Sequence, residues 1–196
     1  MVVSPMDEHG YFSTGPYFGE TLGMLRNAKH VFVEVNKYLP RTFGQNFIHI
    51  SQVEALCEHD EPIFELPVGE PSENDYKIGN IIAEMVPDEA TIQIGIGGVS
   101  GALGKALAGK KDLGIHTEMF SDAMVELIEC GAVTNEKKTI NKRQSVSTFC
   151  FGSKKVYEYI DNNLSLVMLP VEYVNDPYVI AQNDKFVSVN AGLEVD

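Results

Sequence analysis

A glycine-rich turn is the first feature of the sequence that suits a chemical role. Gly95, Gly97 and Gly98 directly follow Thr91–Ile94, whose short apolar run is typical of a buried parallel strand. Glycine carries no side chain, so the backbone N–H groups of the turn can approach a ligand closely. A helix predicted over residues 100–107 would direct the partial positive charge of its N-terminus at the same place. The pattern therefore predicts a backbone site for an anion.

A glutamate follows at a position where ligands bind in open α/β sheets. Residues 113–117 are predicted to form a second strand, and Glu118 comes directly after it. In such sheets the chemistry takes place at the carboxyl ends of the strands. His116 precedes Glu118 by two residues and would face the same side of a strand. The histidine could orient the carboxylate, or it could be a structural residue that is hydrogen-bonded in the wall of the site.

The spacing of the glycines does not fit the dinucleotide-binding fingerprint. The run is G-x-G-G-x-x-G, and Ser100 stands where G-x-G-x-x-G requires its third glycine. Lys105 comes too late for a phosphate-binding P-loop, and no G-x-S-x-G sequence supplies a serine nucleophile. Taken alone, the turn is more typical of a tight strand-to-helix connection than of a cofactor site.

Longer segments carry a resemblance to a known family. The turn QIGIGG together with DLGIHTEMFSD resembles the acetyl-CoA hydrolase/transferase family, in particular its 4-hydroxybutyrate and butyryl-CoA:acetate CoA-transferases. The resemblance runs in order through nearly the whole chain. Its other segments are SPMDEHGYFSTG (Ser4–Gly15), VEVNKYLPRTFGQNFIHIS (Val33–Ser51), LPVEYVNDPYVIAQND (Leu169–Asp184) and VSVNAGLEVD (Val187–Asp196).

The resemblance implies roles for particular residues. By its match to the family's HTE-type motif, Glu118 is the nucleophile. The family's glycine turn contributes to the pocket for the thioester, and it corresponds to Ile96, Gly97 and Gly98. Asn175, in the sequence YVND, matches an asparagine position near the family's active site. The resemblance implies no metal and no bound cofactor, because CoA and acyl-CoA take part as substrates.

The implied activity is the transfer of CoA between a short-chain acyl-CoA and a carboxylic acid such as acetate. The acyl group would be 4-hydroxybutyryl, butyryl or acetyl, and the intermediate would be a glutamyl-CoA thioester. An acyl-CoA (acetyl-CoA) hydrolase of the same family is an alternative, because the two activities differ in whether water reaches the intermediate. A non-catalytic module that binds CoA or a nucleotide is another alternative, and a nicotinamide dehydrogenase is a more distant one.

The family also implies a domain organisation. Its members are longer than this chain and contain two related α/β domains, so we expect an internal fragment with parts of both. Residues 1–70 are predicted to be the C-terminal part of the N-terminal CoA-transferase domain. Residues 71–196 are predicted to be the N-terminal part of the C-terminal domain. The linker between them is centred near Pro71, where Pro, Gly, Ser and charged residues are frequent.

The order of predicted elements indicates the fold class. Short apolar segments alternate with helical patterns, which predicts an α/β fold of open, mostly parallel sheets with helices on both faces. Ser72 and Asp75 have the spacing of a capping box before a helix. Strands are expected at 30–35, 91–94, 113–117, 146–149, 166–169 and 186–190, and helices at 51–58, 75–86, 100–107, 121–130 and 153–162.

The composition narrows the possible partners. The net charge of −13 argues against a nucleic acid, whose phosphates require clustered Lys and Arg. Apolar runs are too short for a membrane span, and three cysteines without metal-ligand spacing are typical of reduced thiols in a cytosolic protein. We expect a cytoplasmic homo-oligomer that contacts neither membrane nor nucleic acid. Two basic groups could meet the phosphates of CoA, although solvated surface is the simpler interpretation: Lys137, Lys138, Lys142 and Arg143, and the pair Lys154 and Lys155.

Overall fold

The computed structural model describes residues 1–66 and 69–191. The strands are β1 (Val2–Val3), β2 (Tyr11–Ser13), β3 (Phe32–Val35), β4 (Phe43–Gly44), β5 (Phe47–His49), β6 (Ala55–Glu58), β7 (Thr91–Ile94), β8 (Gly114–Ile115), β9 (Met119–Phe120), β10 (Ser145–Ser147), β11 (Phe149–Cys150), β12 (Leu166–Met168) and β13 (Phe186–Val189). The helices are α1 (Thr21–Asn27), α2 (Glu73–Met85), α3 (Gly98–Leu107), α4 (Asp122–Glu129), α5 (Lys154–Ile160), α6 (Val171–Val174) and α7 (Pro177–Ile180).

The strands form short sheets that are mostly parallel. Three sheets have three strands each, in the orders β1–β3–β6, β10–β12–β4 and β13–β7–β8. A fourth joins β11 to β9 in parallel, and only the pairing of β2 with β5 is antiparallel within the described residues. Strands that alternate with helices and pair in parallel are those of an α/β fold. This confirms the predicted fold class.

The sheet β13–β7–β8 lies in the main hydrophobic core. Ile92, Ile94 and Ile115 are each at most 1% exposed, and they pack with buried residues of α3, α4 and α5. Burying an aliphatic side chain of this size contributes about 1.5–3 kcal/mol. The core therefore fixes the strands whose carboxyl ends carry the glycine turn and Glu118.

Helix α2 packs against α3 through its small residues. Gly79 and Ala83 are buried, and a Cβ added to Gly79 would lie 2.9 Å from the backbone nitrogen of Leu103. The larger apolar residues Ile81 and Met85 are 62% and 66% exposed. Close contact between the two helix backbones thus takes precedence over burial of these larger side chains.

The start of α2 confirms the predicted capping box. The backbone N–H of Asp75 donates to Ser72 Oγ at 3.2 Å, and the backbone N–H of Ser72 donates to Asp75 Oδ2 at 2.8 Å. Two N–H groups that would otherwise lack partners at a helix N-terminus are satisfied in this way. These bonds explain why α2 begins directly after Pro71 and Ser72.

The prediction of a helix over residues 51–58 is wrong. A short 3-10 turn, Ile50–Gln52, is followed by β6, which pairs in parallel with β3. Eight residues with a few apolar positions do not distinguish a helix from a strand, and here the neighbouring strand edge decides. The helix predicted over 121–130 is α4, and Ser121, which precedes it, makes no capping hydrogen bond through its side chain.

Residues before and after position 70 contribute strands to one sheet and side chains to one hydrophobic core. Strand β4 pairs in parallel with β12, so that Val167 lies opposite Phe43. Phe18 is 1% exposed and belongs to the same hydrophobic cluster as Ile92. The domain boundary between residues 70 and 71 stays a prediction, and Pro67 and Val68 of the surrounding segment lie outside the described residues.

Candidate active site

The glycine turn and Glu118 leave the same edge of one sheet. Strands β7 and β8 are parallel neighbours, with Ile92 opposite Ile115. The turn begins at Gly95, directly after β7, and residues 116–118 directly follow β8. Ligands of open α/β sheets bind at this edge, where the strands end.

The backbone of Glu118 is held in place while its side chain is exposed. The carbonyl oxygen of Glu118 accepts hydrogen bonds from the N–H groups of Thr148 and Phe149, both at 3.1 Å. The hydroxyl of Ser147 donates to the same oxygen at 2.9 Å. The side chain itself is solvent-exposed. A fixed Cα and an accessible carboxylate are what attack on a diffusing substrate requires.

Asn175 contacts the Glu118 carboxylate directly. Its Nδ2 donates to Oε2 of Glu118 at 2.6 Å, although the two residues are 57 positions apart in the chain. Asn175 ends α6, and its backbone N–H donates to the carbonyl of Val171 at 2.9 Å. A hydrogen bond of this length to a carboxylate is of the stronger, charge-assisted kind. It fixes the orientation of the carboxylate.

His116 forms part of the buried wall beside Glu118. The ring is 1% exposed, and Nε2 lies 2.9 Å from the carbonyl oxygen of Val174. Because a carbonyl oxygen can only accept, Nε2 carries the proton. Burial lowers the pKa of His116, since the charged ring would lose its hydration. Of the two interpretations that the sequence allowed, the bond to Val174 favours a structural histidine.

The other ring nitrogen of His116 has no hydrogen-bond partner among the described residues. It is Nδ1, and it is completely buried. The rings of Tyr173 and Phe186 lie 6.3 and 6.1 Å from that of His116, centroid to centroid. These aromatic contacts hold the imidazole in the wall.

A cavity of about 220 Å³ lies in front of Glu118, Asn175 and His116. Its remaining polar side chains are Gln93, Ser188 and Asn190. Asn190 Nδ2 donates to Gln93 Oε1, and Gln93 Nε2 donates to Asn190 Oδ1, each at 3.1 Å. Sequence reasoning missed these three residues. For Gln93 a signal was available, because it is the polar residue near the carboxyl end of the otherwise apolar strand TIQI, next to the glycine turn.

Glu118 also borders a second cavity. This cavity has a volume of about 290 Å³, and its lining includes Tyr17, Thr148 and Val171. The carboxylate therefore lies between two recesses, one on the side of Asn175 and one on the side of residues 17–21. Two separate recesses next to one carboxylate can accommodate two parts of a substrate.

The glycine turn lines a separate cavity of about 500 Å³, to which Ile96, Gly97 and Gly98 all contribute. Gly97 has φ of +111°, a backbone conformation that residues with a Cβ rarely adopt. Ile96 is 60% exposed. The turn thus has a shape that depends on glycine at position 97.

The cavity at the turn is lined by carboxylates as well as backbone. Glu70, Asp75 and Asp122 all border it. The Asp75 carboxylate lies so close to Gly98 that it would overlap a Cβ placed there. The N-terminus of α3, which the sequence predicts to attract an anion, therefore already faces an anionic group of the chain itself.

The predicted site residues fall into two adjacent groups. Glu118 and Asn175 are in direct contact, whereas residues 96–98 line the other cavity. Met119 borders the turn cavity and Glu118 borders the cavity with Asn175, so two successive residues of the chain line the two cavities. Glu118 and the glycine turn are neighbours at one sheet edge.

Lys138 departs from the expectation of a solvated basic face. It is 1% exposed, while the side chains of Lys137 and Arg143 are 52% and 77% exposed. The long aliphatic stem of lysine can be buried when its ammonium group finds acceptors, and Lys138 donates to two backbone carbonyls. The interpretation as solvated surface is therefore wrong for Lys138.

The described part of the chain has neither a membrane-spanning helix nor a cluster of metal-binding side chains. No helix there is long and apolar enough to cross a membrane. Across the same residues, no group of three or more His, Cys, Asp or Glu side chains is arranged to hold a metal ion.

Comparison with known families identifies the chain. Residues 1–66 match the acetyl-CoA hydrolase/transferase N-terminal domain, and residues 152–196 match the C-terminal domain of the same family. The chain belongs to the acetyl-CoA hydrolase/transferase family.

Individual relatives are similar along the whole chain. The succinyl-CoA:cyclohexane-1-carboxylate CoA transferase of Geobacter metallireducens is 46% identical over 195 residues, which are 100% of this chain and 45% of the relative. The 4-hydroxybutyrate coenzyme A transferase of Clostridium kluyveri is 41% identical, and the matched region covers 99% of this chain and 45% of that relative. The crystal structure of 4-hydroxybutyrate CoA-transferase from Porphyromonas gingivalis has a TM-score of 0.94 and 41% identity, and covers 99% of this chain and 50% of that structure. The chain thus spans about half the length of these relatives.

Proposed function

We propose that the protein transfers CoA between a short-chain acyl-CoA and a carboxylic acid, with Glu118 as the nucleophile. The observation that carries this proposal is the bond of Asn175 Nδ2 to Oε2 of an exposed glutamate at the carboxyl edge of a parallel sheet. Membership of the acetyl-CoA hydrolase/transferase family supports it. So do the names of the similar proteins, several of which are CoA transferases.

The reaction needs only a carboxylate and the reactivity of the thioester. An oxygen of Glu118 attacks the acyl carbon, the carbon–sulfur bond breaks, and CoA leaves as a thiolate, which produces a mixed anhydride. The thiolate then attacks the glutamyl carbon, and the acyl group leaves as its carboxylate, so the enzyme holds a glutamyl-CoA thioester. An acceptor acid reverses both steps. No proton, electron or further reactant is needed in the balance.

Asn175 has a defined part in this scheme. Each addition step places negative charge on an oxygen of the tetrahedral carbon, and amide N–H donors stabilise such an oxyanion. Nδ2 of Asn175 is already 2.6 Å from Oε2 of Glu118. When the glutamyl carbonyl is attacked, this donor can follow the charge that develops on that oxygen.

The turn cavity suits an uncharged part of the substrate. Glu70, Asp75 and Asp122 line it, and they would repel the phosphates of CoA. Backbone N–H groups at Gly97 and Gly98 can still donate to a neutral thioester or amide oxygen. We therefore assign Ile96, Gly97 and Gly98 to the thioester region of acyl-CoA and place its phosphates elsewhere.

Hydrolysis of acyl-CoA is a second candidate function. The side chain of Glu118 is exposed in the described part of the chain, and water that reaches the anhydride would cleave it. The difference between the two activities is measurable, because a transferase requires an acceptor acid for turnover and a hydrolase does not.

The test is mass spectrometry of the entire natural polypeptide in which this chain occurs, after incubation with butyryl-CoA. We expect CoA covalently attached to the peptide that contains Glu118, and loss of the adduct when acetate is added. The variant Glu118→Gln should form no adduct. Glu84→Gln, at an exposed position on α2, should behave like the unmodified protein.

The other outcomes separate the alternatives. Release of free CoA without acetate, and without an adduct, would indicate a one-step hydrolase. An intact substrate that binds equally well to the Glu118→Gln variant would indicate a non-catalytic CoA-binding module. Either result would remove Glu118 as the nucleophile of a transferase.

A further inference from the structure

Lys138 is a buried lysine that the proposed chemistry does not use. Its side chain is 1% exposed, and lysine is almost never buried to this extent unless its amine has partners. Nζ donates to the carbonyl oxygens of Ile115 at 2.8 Å and Gln144 at 2.7 Å. Burial lowers the pKa of Lys138 to about 7, because the ammonium group loses its hydration. Charged or neutral, the amine has enough protons for both carbonyls.

The strand that precedes Glu118 lacks a continuous neighbour on the side away from β7. At its beginning, the N–H of Leu113 donates to Ala132 at 2.9 Å, and its carbonyl accepts from Thr134 at 3.0 Å. After it, the N–H of Thr117 donates to Val146 at 3.0 Å. Between these contacts the neighbouring chain leaves the sheet, since residues 135–144 form a loop before β10 begins.

Two side chains of that loop replace the missing strand. The N–H of Ile115 donates to Oδ1 of Asn135 at 2.9 Å, and the carbonyl of Ile115 accepts from Nζ of Lys138. Asn135 is itself held by a bond from Nδ2 to Ser145 Oγ at 3.1 Å. Both backbone groups of Ile115 on this side are thus satisfied by side chains, and a buried backbone group left without a partner would be costly.

Gly114 provides the space that the lysine occupies. A Cβ at this position would overlap Cγ of Lys138 and lie 2.9 Å from its Cδ. Any other residue in β8 at this point would push the lysine stem away from the strand. The lysine stem therefore explains why the segment DLGIHTE has a glycine at this position.

We propose that Lys138 is a positioning residue for Glu118, because its amine completes the backbone hydrogen bonding of β8 three residues before the nucleophile. The lysine does not touch the substrate. It acts through Ile115, whose position determines where residues 116–118 emerge between β7 and β10. This inference rests on the proposed function for its effect on rate, but its effect on the strand does not.

The first test is the rate of adduct formation at saturating butyryl-CoA, in the entire natural polypeptide. Lys138→Met keeps the length of the stem and removes the donors. We expect the rate constant to fall by about 10²-fold, as a displacement of roughly 1 Å can cause, with little change in KM for the acyl-CoA. A merely structural lysine would lower the final amount of adduct and leave its rate constant unchanged. Lys137→Met, at the exposed neighbouring position, is the matched control.

Lys138→Gln keeps an amide donor on a shorter side chain. We expect it to restore part of the rate, which loss of folded protein alone would not produce. Should Lys138→Met fail to fold, this variant decides the question. A wild-type rate constant in Lys138→Gln, together with faster hydrogen exchange in residues 113–118, would then overturn the proposal.

The second test is hydrogen exchange of the peptide that covers residues 113–118, which does not depend on the reaction. The amide of His116 donates to Ile92 at 3.2 Å and that of Thr117 donates to Val146, so both report on the strand. We expect faster exchange at both amides in the variant that keeps the fold, and no change in Lys137→Met. Faster exchange with an unaltered adduct rate would overturn the positioning role. If the wild-type protein forms no adduct, the proposed function is contradicted. The exchange result then still shows whether Lys138 holds the strand.

Discussion

The two sides of one sheet edge are built in different ways. At the glycine turn the shape comes from backbone conformation, since Gly97 adopts φ of +111° over a short local segment. At Glu118 the arrangement comes from hydrogen bonds between distant parts of the chain, such as the bond to Asn175 over 57 positions. The first can be described from consecutive residues, whereas the second exists only in the folded protein.

The difference extends to charge. Carboxylates of Glu70, Asp75 and Asp122 border the turn cavity. Neutral amides and a hydroxyl, from Gln93, Asn190 and Ser188, share the other cavity with Glu118. An anionic ligand group is disfavoured on the first side, whereas Glu118 is the one carboxylate among the described residues that line the second. The comparison teaches that the glycine turn is a wall shaped by backbone conformation, whereas the surroundings of Glu118 are shaped by side-chain hydrogen bonds, and the proposed function assigns the chemistry to that second side.

The strongest test of this comparison is removal of the carboxylate on the Glu118 side. Glu118→Gln should lower kcat for CoA transfer by at least about 10³-fold, because the variant lacks the proposed nucleophile. Steady-state assays with butyryl-CoA and acetate measure the change, with Glu84→Gln as the control. A variant with more than a tenth of the original kcat would place the chemistry elsewhere.

Removal of the amide that holds the carboxylate should have the next largest effect. Asn175→Leu is expected to lower kcat by about 10²-fold, the typical loss for one oxyanion donor. The same assay measures it, and Asn80→Leu on the exposed face of α2 serves as the control. Equal activity of the two variants would mean that the 2.6 Å contact has no part in the reaction.

On the turn side, the expected effect is on stability. Gly97→Ala should lower the free energy of unfolding by about 1–3 kcal/mol, since the new Cβ is strained at this φ. Urea unfolding measures the change. Gly109→Ala is the matched control, because a Cβ there meets nothing within 4 Å and φ is not in the left-handed region. A similar small effect for both would show that the turn does not depend on its backbone conformation.

The last predicted effect, which is gradual for each pH unit, is a pH dependence of stability due to Lys138. Burial lowers its pKa to about 7 from 10.5 in the unfolded chain, so between these values the unfolded chain binds more protons. Stability should therefore rise with pH in this window, by about 1 kcal/mol per pH unit, and the full penalty should remain below pH 7.

Comparing wild-type protein with Lys138→Met isolates this contribution from that of other groups. His116, whose pKa is also lowered by burial, is the titratable neighbour of Lys138 and is present in both proteins. Urea unfolding at pH 8, 9 and 10 should show a steeper rise for the wild-type chain. Parallel curves would mean that Lys138 keeps its proton throughout this range.

Several elements were predictable because their signals are local. The capping box of Ser72 and Asp75 and the apolar strand 91–94 depend on residues that are near in sequence, and both are confirmed. The structure of the segment 51–58 was not predictable in this way, because β6 is stabilised by pairing with β3 rather than by the propensity of its own residues. The exposure of Ile81 and Met85 on α2 also depends on a distant segment, since contact with α3 selects the face that carries Gly79.

The sequence by itself determined the alternation of strands and helices, the family, and the placement of Glu118 at the carboxyl edge of a sheet, although the strand before it, β8, is shorter than the predicted 113–117 and ends at Ile115. These follow from side-chain periodicity and from motifs of consecutive residues. Only the tertiary structure decided that Asn175 reaches Glu118, that Gln93 and Asn190 face the same cavity, and that Lys138 is buried beneath Ile115. The physical reason is that hydrogen bonds and burial depend on distances in space, and chain positions far apart in sequence become neighbours only when the sheets and helices pack.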